Sequence, residues 1–136
     1  MTEADERIAR LLEAAHGARA AAYAPYSNFL VGAALLATNG RIFTGCNVEN
    51  ASYGLTSCAE RNAVFGAVAA GCRDFTHLII TTDLSGPTPP CGACRQVLNE
   101  FAPALWIGLA SPWGLLENHT LSDLLPKAFG PWNLRK

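Results

Sequence analysis

The chain has 136 residues, half of them apolar and 15% charged, which suits one globular domain over residues 1–136 and excludes a disordered segment or two full domains. A formal net charge of −1, with no Lys or Arg run beyond two residues, argues against nucleic acid, which calls for a basic stripe, and favours a small free substrate. Low charge beside this much apolar content also points to surface covered by partner subunits.

From Glu3 to about Tyr23 the residues Ile8, Leu11, Leu12, Ala15 and Ala22 recur at helical spacing among charges. They predict an amphipathic helix, brought to an end by Pro25, which disfavours helix at the residue before it. Phe29 to Ala37 and Arg41 to Cys46 flank Thr38-Asn39-Gly40. Asn-Gly supplies the positive φ of a tight turn, so these read as two antiparallel strands. Asn47 to Ser57 is polar and reads as an ordered loop. Cys58 to Ala70 predicts a helix closed by Gly71, and Thr76 to Thr82 a buried strand. Asp83 to Pro90 holds three prolines and a glycine and is a loop. Cys91 to Phe101 predicts a second core helix, Leu105 to Ala110 another strand, and Leu121 to Leu125 a short helix before Pro126. Helices separating strands argue for an α/β layered domain with some parallel strands, and the opening hairpin makes the sheet mixed.

Five cysteines make an odd count. The first ten residues are polar rather than a secretory leader, and no apolar run approaches the roughly 20 residues of a membrane span. The expectation is a reduced cytoplasmic setting without a membrane partner, where cysteines bind metal rather than pair. Cys58 in Ser57-Cys-Ala-Glu60, with Cys91 and Cys94 in Pro89-Pro-Cys-Gly-Ala-Cys94, offers three thiolates, one short of a closed tetrahedral zinc site. That open position separates catalytic from structural zinc. Glu60, two residues after the first ligand, is placed to handle protons there. The layout is that of the zinc deaminases, in which an activated water attacks an amino-bearing ring carbon.

Each thiolate group falls where a predicted helix begins, and helix N-termini lower thiol pKa. Cys91 and Cys94, three apart, share a helix face. Three thiolates on Zn²⁺ leave a net −1, which should weaken the metal's ability to acidify a bound water. The helix dipoles and Arg61, hydrogen-bonded to a ligand sulfur, would draw that density back. Duller readings compete. Cys91-Gly-Ala-Cys94 alone also suits a thioredoxin-like redox pair. A structural zinc knuckle would take a fourth ligand from Cys46, Cys72 or His77. His16, His77 and His119 lack ligand spacing and read as structural, and Cys46 and Cys72 as small core or boundary residues.

These residues lie inside a longer match. Tyr23-Ala-Pro-Tyr-Ser27, Phe29-Leu-Val-Gly-Ala-Ala34, Gly45-Cys-Asn-Val-Glu-Asn-Ala-Ser-Tyr53, Cys58-Ala-Glu-Arg-Asn-Ala63, Pro90-Cys-Gly-Ala-Cys-Arg-Gln-Val97 and Leu124-Leu-Pro-Lys-Ala-Phe129 stand in order. The chain so resembles the small homotetrameric cytidine deaminases of the cytidine/deoxycytidylate deaminase family along nearly its whole length. The resemblance implies a three-layer α/β/α fold with a five-stranded mixed sheet, one Zn²⁺ per chain, and hydrolytic deamination of cytidine and 2′-deoxycytidine in pyrimidine salvage. It also implies that Asn47 and Glu49 hold the ribose hydroxyls, that Phe29 packs on the pyrimidine face, and that the Ala59 backbone meets the base amide edge. Tyr53 and Phe129 would reach a neighbouring subunit's pocket, making each site of the homotetramer shared.

Without the resemblance, Phe29 reads as core, Asn47 and Glu49 as loop polars, and Phe129 as an internal helix cap. Ser57 departs from the apolar residue expected before Cys58. Ser111 to Asn118 resembles the family least, which leaves its strand open. Three other readings share features of the chain: a blasticidin-S-type deaminase, disfavoured by Asn47-Val-Glu49-Asn; a polynucleotide cytosine deaminase, disfavoured by the charge; and a structural zinc or interaction protein, which has no use for Glu60.

Overall fold

Thr2 opens the first helix through a reciprocal capping box: Asp5 N donates to Thr2 Oγ1 at 3.1 Å and Thr2 N donates to Asp5 Oδ2 at 3.2 Å. Acidic residues in the first turn and His16 and Arg19 in the last turn complement the helix dipole. In this computed structural model, which describes residues 2–135, that helix (α1, Glu3–Arg19) ends four residues before Tyr23. The reason is tertiary. Tyr23 N donates to Asn47 O at 3.0 Å and Glu49 N donates to Tyr23 O at 2.8 Å, so the Tyr23 backbone is committed to the 47–49 segment and cannot continue a helix ladder.

β1 (Val31–Ala37) and β2 (Ile42–Cys46) form the expected hairpin about Thr38–Gly40. After a loop with one 3₁₀ turn at Tyr53–Leu55 come α2 (Ala59–Ala69), β3 (Phe75–Thr82), α3 (Gly92–Phe101), β4 (Trp106–Ser111), β5 (Gly114–Thr120) and α4 (Leu121–Leu124). The uncertain stretch after Ser111 is thus mostly strand, antiparallel to β4. The five strands make one mixed sheet in the order β2-β1-β3-β4-β5, with only β3 and β4 parallel. That parallel step requires a crossover, and α3 supplies it.

Alternation along the strands sorts side chains to two faces. Ala34, Leu36, Ile79 and Ala110 pack under Leu11 and Ala15 of α1. Ala33, Leu35, Leu78, Ile80, Ile107 and Leu109 pack against Ala63, Val64 and Ala67 of α2 and Leu98 of α3. The result is the expected three-layer α/β/α architecture, with both cysteine-bearing helices on one face. Two strand glycines set the layer spacing. A Cβ at Gly45 would collide with Ala59 O and lie 2.6 Å from Ala63 N, and one at Gly32 would collide with Ala15 O and lie 2.6 Å from Arg19 N. Each glycine lets a helix backbone rest directly on a strand. Among the described residues no helix is long and apolar enough to cross a membrane.

Candidate active site

Close seating of α2 on Gly45 fixes where that helix begins, and Cys58 is its N-cap. Cys91 is the N-cap of α3, its sulfur accepting from Cys94 N at 3.5 Å. The two helix starts meet, so Cys58, Cys91 and Cys94 hold their sulfurs within 4.8 Å of one another, the only such cluster among the described residues. Cys58 Sγ lies 3.8 Å from Cys91 Sγ, and Cys91 Sγ lies 3.4 Å from Cys94 Sγ. Three sulfurs each about 2.3 Å from one tetrahedral zinc would stand about 3.8 Å apart. The donor set therefore fits zinc in number, chemistry and spacing. Cys46, Cys72 and the three histidines stand outside it. Cys72 accepts from Asn39 Nδ2 at 3.4 Å, His16 meets Thr81, His77 meets Thr76, and His119 meets Glu117.

Electrostatics favour thiolate. The Cys58 thiol is drawn down to about 5, chiefly by its hydrogen bond with Cys94 and further by Arg61, whose Nη2 donates to Cys58 Sγ at 3.1 Å. The Cys94 thiol moves up, because it supplies that hydrogen bond and is buried. Arg61 Nε is buried without a hydrogen-bond partner, and among the described residues no carboxylate pairs with this guanidinium, whose Nη2 bond goes to the Cys58 sulfur.

Glu60 occupies the first turn of α2, only 5% exposed. Burial pushes its carboxyl above the ordinary range, and the Cys58 charge adds to the effect. Glu60, Cys58, Cys91 and Ala59 line a cavity of about 270 Å³. Phe29, Val31, Asn47, Thr56, Ile80, Thr88 and Pro89 complete its walls. A small planar heterocycle fits such a chamber, which offers sulfurs that could hold a metal, a buried carboxylate and apolar walls. The chemistry available is metal-assisted attack of water with local proton transfer.

The remaining residues singled out from the sequence divide. Asn47 is a clip for its own chain: Oδ1 accepts from Val31 N at 2.8 Å and Nδ2 donates to Phe29 O at 2.7 Å. It thereby fixes Phe29 at the cavity. Glu49 Oε1 accepts from Tyr26 N at 2.9 Å and Ser27 N at 3.1 Å, and Oε2 accepts from the Ser27 hydroxyl. These bonds hold its carboxyl below the usual range, the serine hydroxyl foremost. Glu49 and Tyr53 line a neighbouring cleft of about 410 Å³ with Tyr26 and Ser27, joined to the cavity through Thr56. That cleft contains none of the three sulfurs, so the smaller cavity, with Cys58, Cys91 and Glu60, is the candidate active site. Tyr53 is 76% and Phe129 59% exposed, and neither lines the cavity of its own chain. Ser57 is satisfied, its hydroxyl donating to Asn62 Oδ1 at 2.7 Å.

Thr56, Ile80, Thr88 and Pro89 were not legible as site residues. So too Arg95, which ties the approach to Cys91 by donating from Nε to Pro90 O and from Nη1 to Leu124 O, both at 2.8 Å. Their only sequence signal is closeness to the ligand motifs.

Residues 5–109 match the family described as the cytidine and deoxycytidylate deaminase zinc-binding region. The chain is 50% identical over 120 residues to a cytidine deaminase of Halalkalibacterium halodurans, covering 88% of this chain and 91% of that one. It is 47% identical over 128 residues to one from Sporosarcina psychrophila, covering 93% and 94%. The crystal structure of cytidine deaminase from Burkholderia pseudomallei superposes with a TM-score of 0.86 at 51% identity, over 95% of this chain and 100% of that one.

Proposed function

The chain belongs to the cytidine and deoxycytidylate deaminase family, and we propose that it hydrolyses cytidine and 2′-deoxycytidine to uridine and 2′-deoxyuridine with release of ammonia. The observation that carries this reading is the buried Glu60 carboxyl in one cavity with Cys58 and Cys91, two of three sulfurs clustered closely enough for one zinc. Cys58, Cys91 and Cys94 would hold the metal. Bound there, zinc supplies Lewis acidity, lowering the pKa of water from about 15.7 toward about 7.

Glu60 does the proton work. It takes one proton of the attacking water and passes it to the ring nitrogen beside the attacked carbon, then takes the remaining proton of the newly attached hydroxyl and delivers it to the amino group, so that the C=O bond forms as the C–N bond breaks and ammonia leaves. One carboxylate serves all of these transfers because the donor and acceptors surround one point. Phe29, fixed by the Asn47 clip, packs on the pyrimidine face, and the Ala59 backbone meets the amide edge. Asn47 and Glu49 hold the ribose hydroxyls. Each keeps capacity beyond its present bonds: a second N–H on Asn47, further lone pairs on Glu49.

Arg61 draws charge from the ligand sulfurs as a positioning residue. Arg61→Gln is expected to retain zinc and lower kcat about tenfold; an unchanged kcat would remove that role.

The protein acts on free nucleosides in the cytoplasm, in pyrimidine salvage, as one catalytic domain within a homotetramer. Exposed Tyr53 and Phe129 support sites shared between subunits, since large aromatics left in water favour burial in a partner. The test is direct. Purified protein, at about one zinc per chain, is mixed with cytidine while the cytidine absorbance band is followed and the mass is measured by light scattering. Loss of absorbance by a tetramer is the expected result. Zinc bound with cytidine untouched overturns the nucleoside reading and makes blasticidin S the next substrate, and an active monomer overturns shared sites.

A further inference from the structure

The segment 83–90 forms a wall of the cavity through Thr88 and Pro89, yet its backbone does little to hold it there. Pro87, Pro89 and Pro90 lack an N–H. Among the described residues, no backbone–backbone hydrogen bond outside helices and strands involves this segment. Its order comes from side chains at its two ends. At the far end Arg95 Nε donates to Pro90 O. At the near end the fully buried Thr82, last residue of β3, accepts from Leu84 N through Oγ1 at 3.1 Å and lies 3.4 Å from the Thr88 hydroxyl.

Thr82 is itself gripped from the opposite face of the sheet. Arg19, in the last turn of α1, donates from Nη1 to Thr82 O at 2.7 Å. It reaches that carbonyl because Gly32 lets α1 rest on β1, with no Cβ to hold the Arg19 backbone away. Ile80 lines the cavity two residues before Thr82, so by strand alternation the Thr82 hydroxyl is on the cavity face while Arg19 works from the other.

We propose that Thr82, braced by Arg19, is a positioning residue for substrate affinity: its hydroxyl sets the Thr88–Pro89 wall against which the nucleoside packs. The assignment rests on the nucleoside reading above. It separates from a role in strand stability alone, because the wall contributes binding equally in ground and transition states and Glu60 and the sulfurs lie on α2 and α3. Loosening the wall therefore raises KM and spares kcat.

The experiment compares Thr82→Val, isosteric but without the hydroxyl, with Thr82→Ser, which keeps it. Thr82→Val is expected to raise KM for cytidine about tenfold with kcat within about threefold, and Thr82→Ser to stay within about twofold of wild type in both. Zinc content stays at the wild-type value in each variant. Hydrogen exchange at the Leu84 amide should quicken in Thr82→Val and not in Thr82→Ser. A KM within about twofold of wild type for Thr82→Val, or an equal rise in both variants, overturns the proposal. Should Thr82→Val fail to fold, Arg19→Leu carries the same test from the other face, with a rise in KM at constant zinc expected and an unchanged KM overturning it. Failure of wild type to act on cytidine would strike the nucleoside reading alone. Leu84 exchange would still decide whether the hydroxyl holds the wall, and equal protection in Thr82→Val and wild type would refute it.

Discussion

Glu60→Ala is expected to keep about one zinc per chain while losing at least about 10⁴-fold in kcat, the upper end for a single general acid–base group. The size follows from the number of proton transfers assigned to this one carboxyl. Among the described residues no second acid or base lines the cavity except Cys58 and Cys91, which belong to the cluster that would hold the metal. The same substitution should leave stability unchanged or raised. Glu60 is almost fully buried, in no ion pair among the described residues, and burial drives its pKa upward. A carboxyl kept in such a place costs folding free energy that a structural residue would not. Three readings on one protein sample decide the matter: kcat, zinc by elemental analysis, and Tm. Activity within about tenfold of wild type, below the usual range for general acid–base catalysis, would exclude Glu60 as the proton carrier. Loss of zinc together with a fall in Tm would turn it into a structural residue instead.

Much of this site was readable in the chain because the relevant information is local. Cys91 and Cys94 belong together by helix spacing, and Cys58 and Glu60 by closeness along one helix start; only the meeting of the two helices needs the fold. Four of the five strands and the three main helices were likewise visible in periodicity and turns, within a few residues at their ends, whereas β5 carried no clear pattern and the count of five strands came from resemblance. What escaped depends on partners far apart in sequence. Tyr23 leaves its helix for Asn47 and Glu49, and apolar spacing around Ala22 carries no trace of that. Thr82 and Thr88 are ordinary threonines until Arg19, 63 residues away from Thr82, is seen to reach across the sheet. Phe29, Asn47, Glu49 and Ala59 came from resemblance and not from pattern. The fold adds a cause for one of them, since Asn47 spends its amide clipping Phe29 and Val31 in place.

Gly45→Ala tests whether the metal site depends on contact between a strand and a helix backbone rather than on its ligands alone. The added methyl would sit against Ala59 O and 2.6 Å from Ala63 N, backbone atoms of α2 that cannot swing aside as a side chain tip would. Relief requires α2 to lift from β2 or the strand to sink. Either change moves Cys58, the N-cap of that helix, relative to Cys91 and Cys94 on α3. Overpacking of this kind costs about 1–3 kcal/mol or more, which for a chain this size lowers Tm by several degrees. Two of three ligand sulfurs would remain where they are, so zinc affinity should fall with activity. Gly32→Ala is the matched control: its methyl meets Ala15 O and Arg19 N under α1, on the face away from the sulfurs. It should lower Tm to a similar degree while zinc stays bound. Competition for zinc with a chromogenic chelator, run beside thermal unfolding, separates the two. Equal zinc affinity in both variants would mean that the sulfurs hold their geometry independently of how α2 is seated.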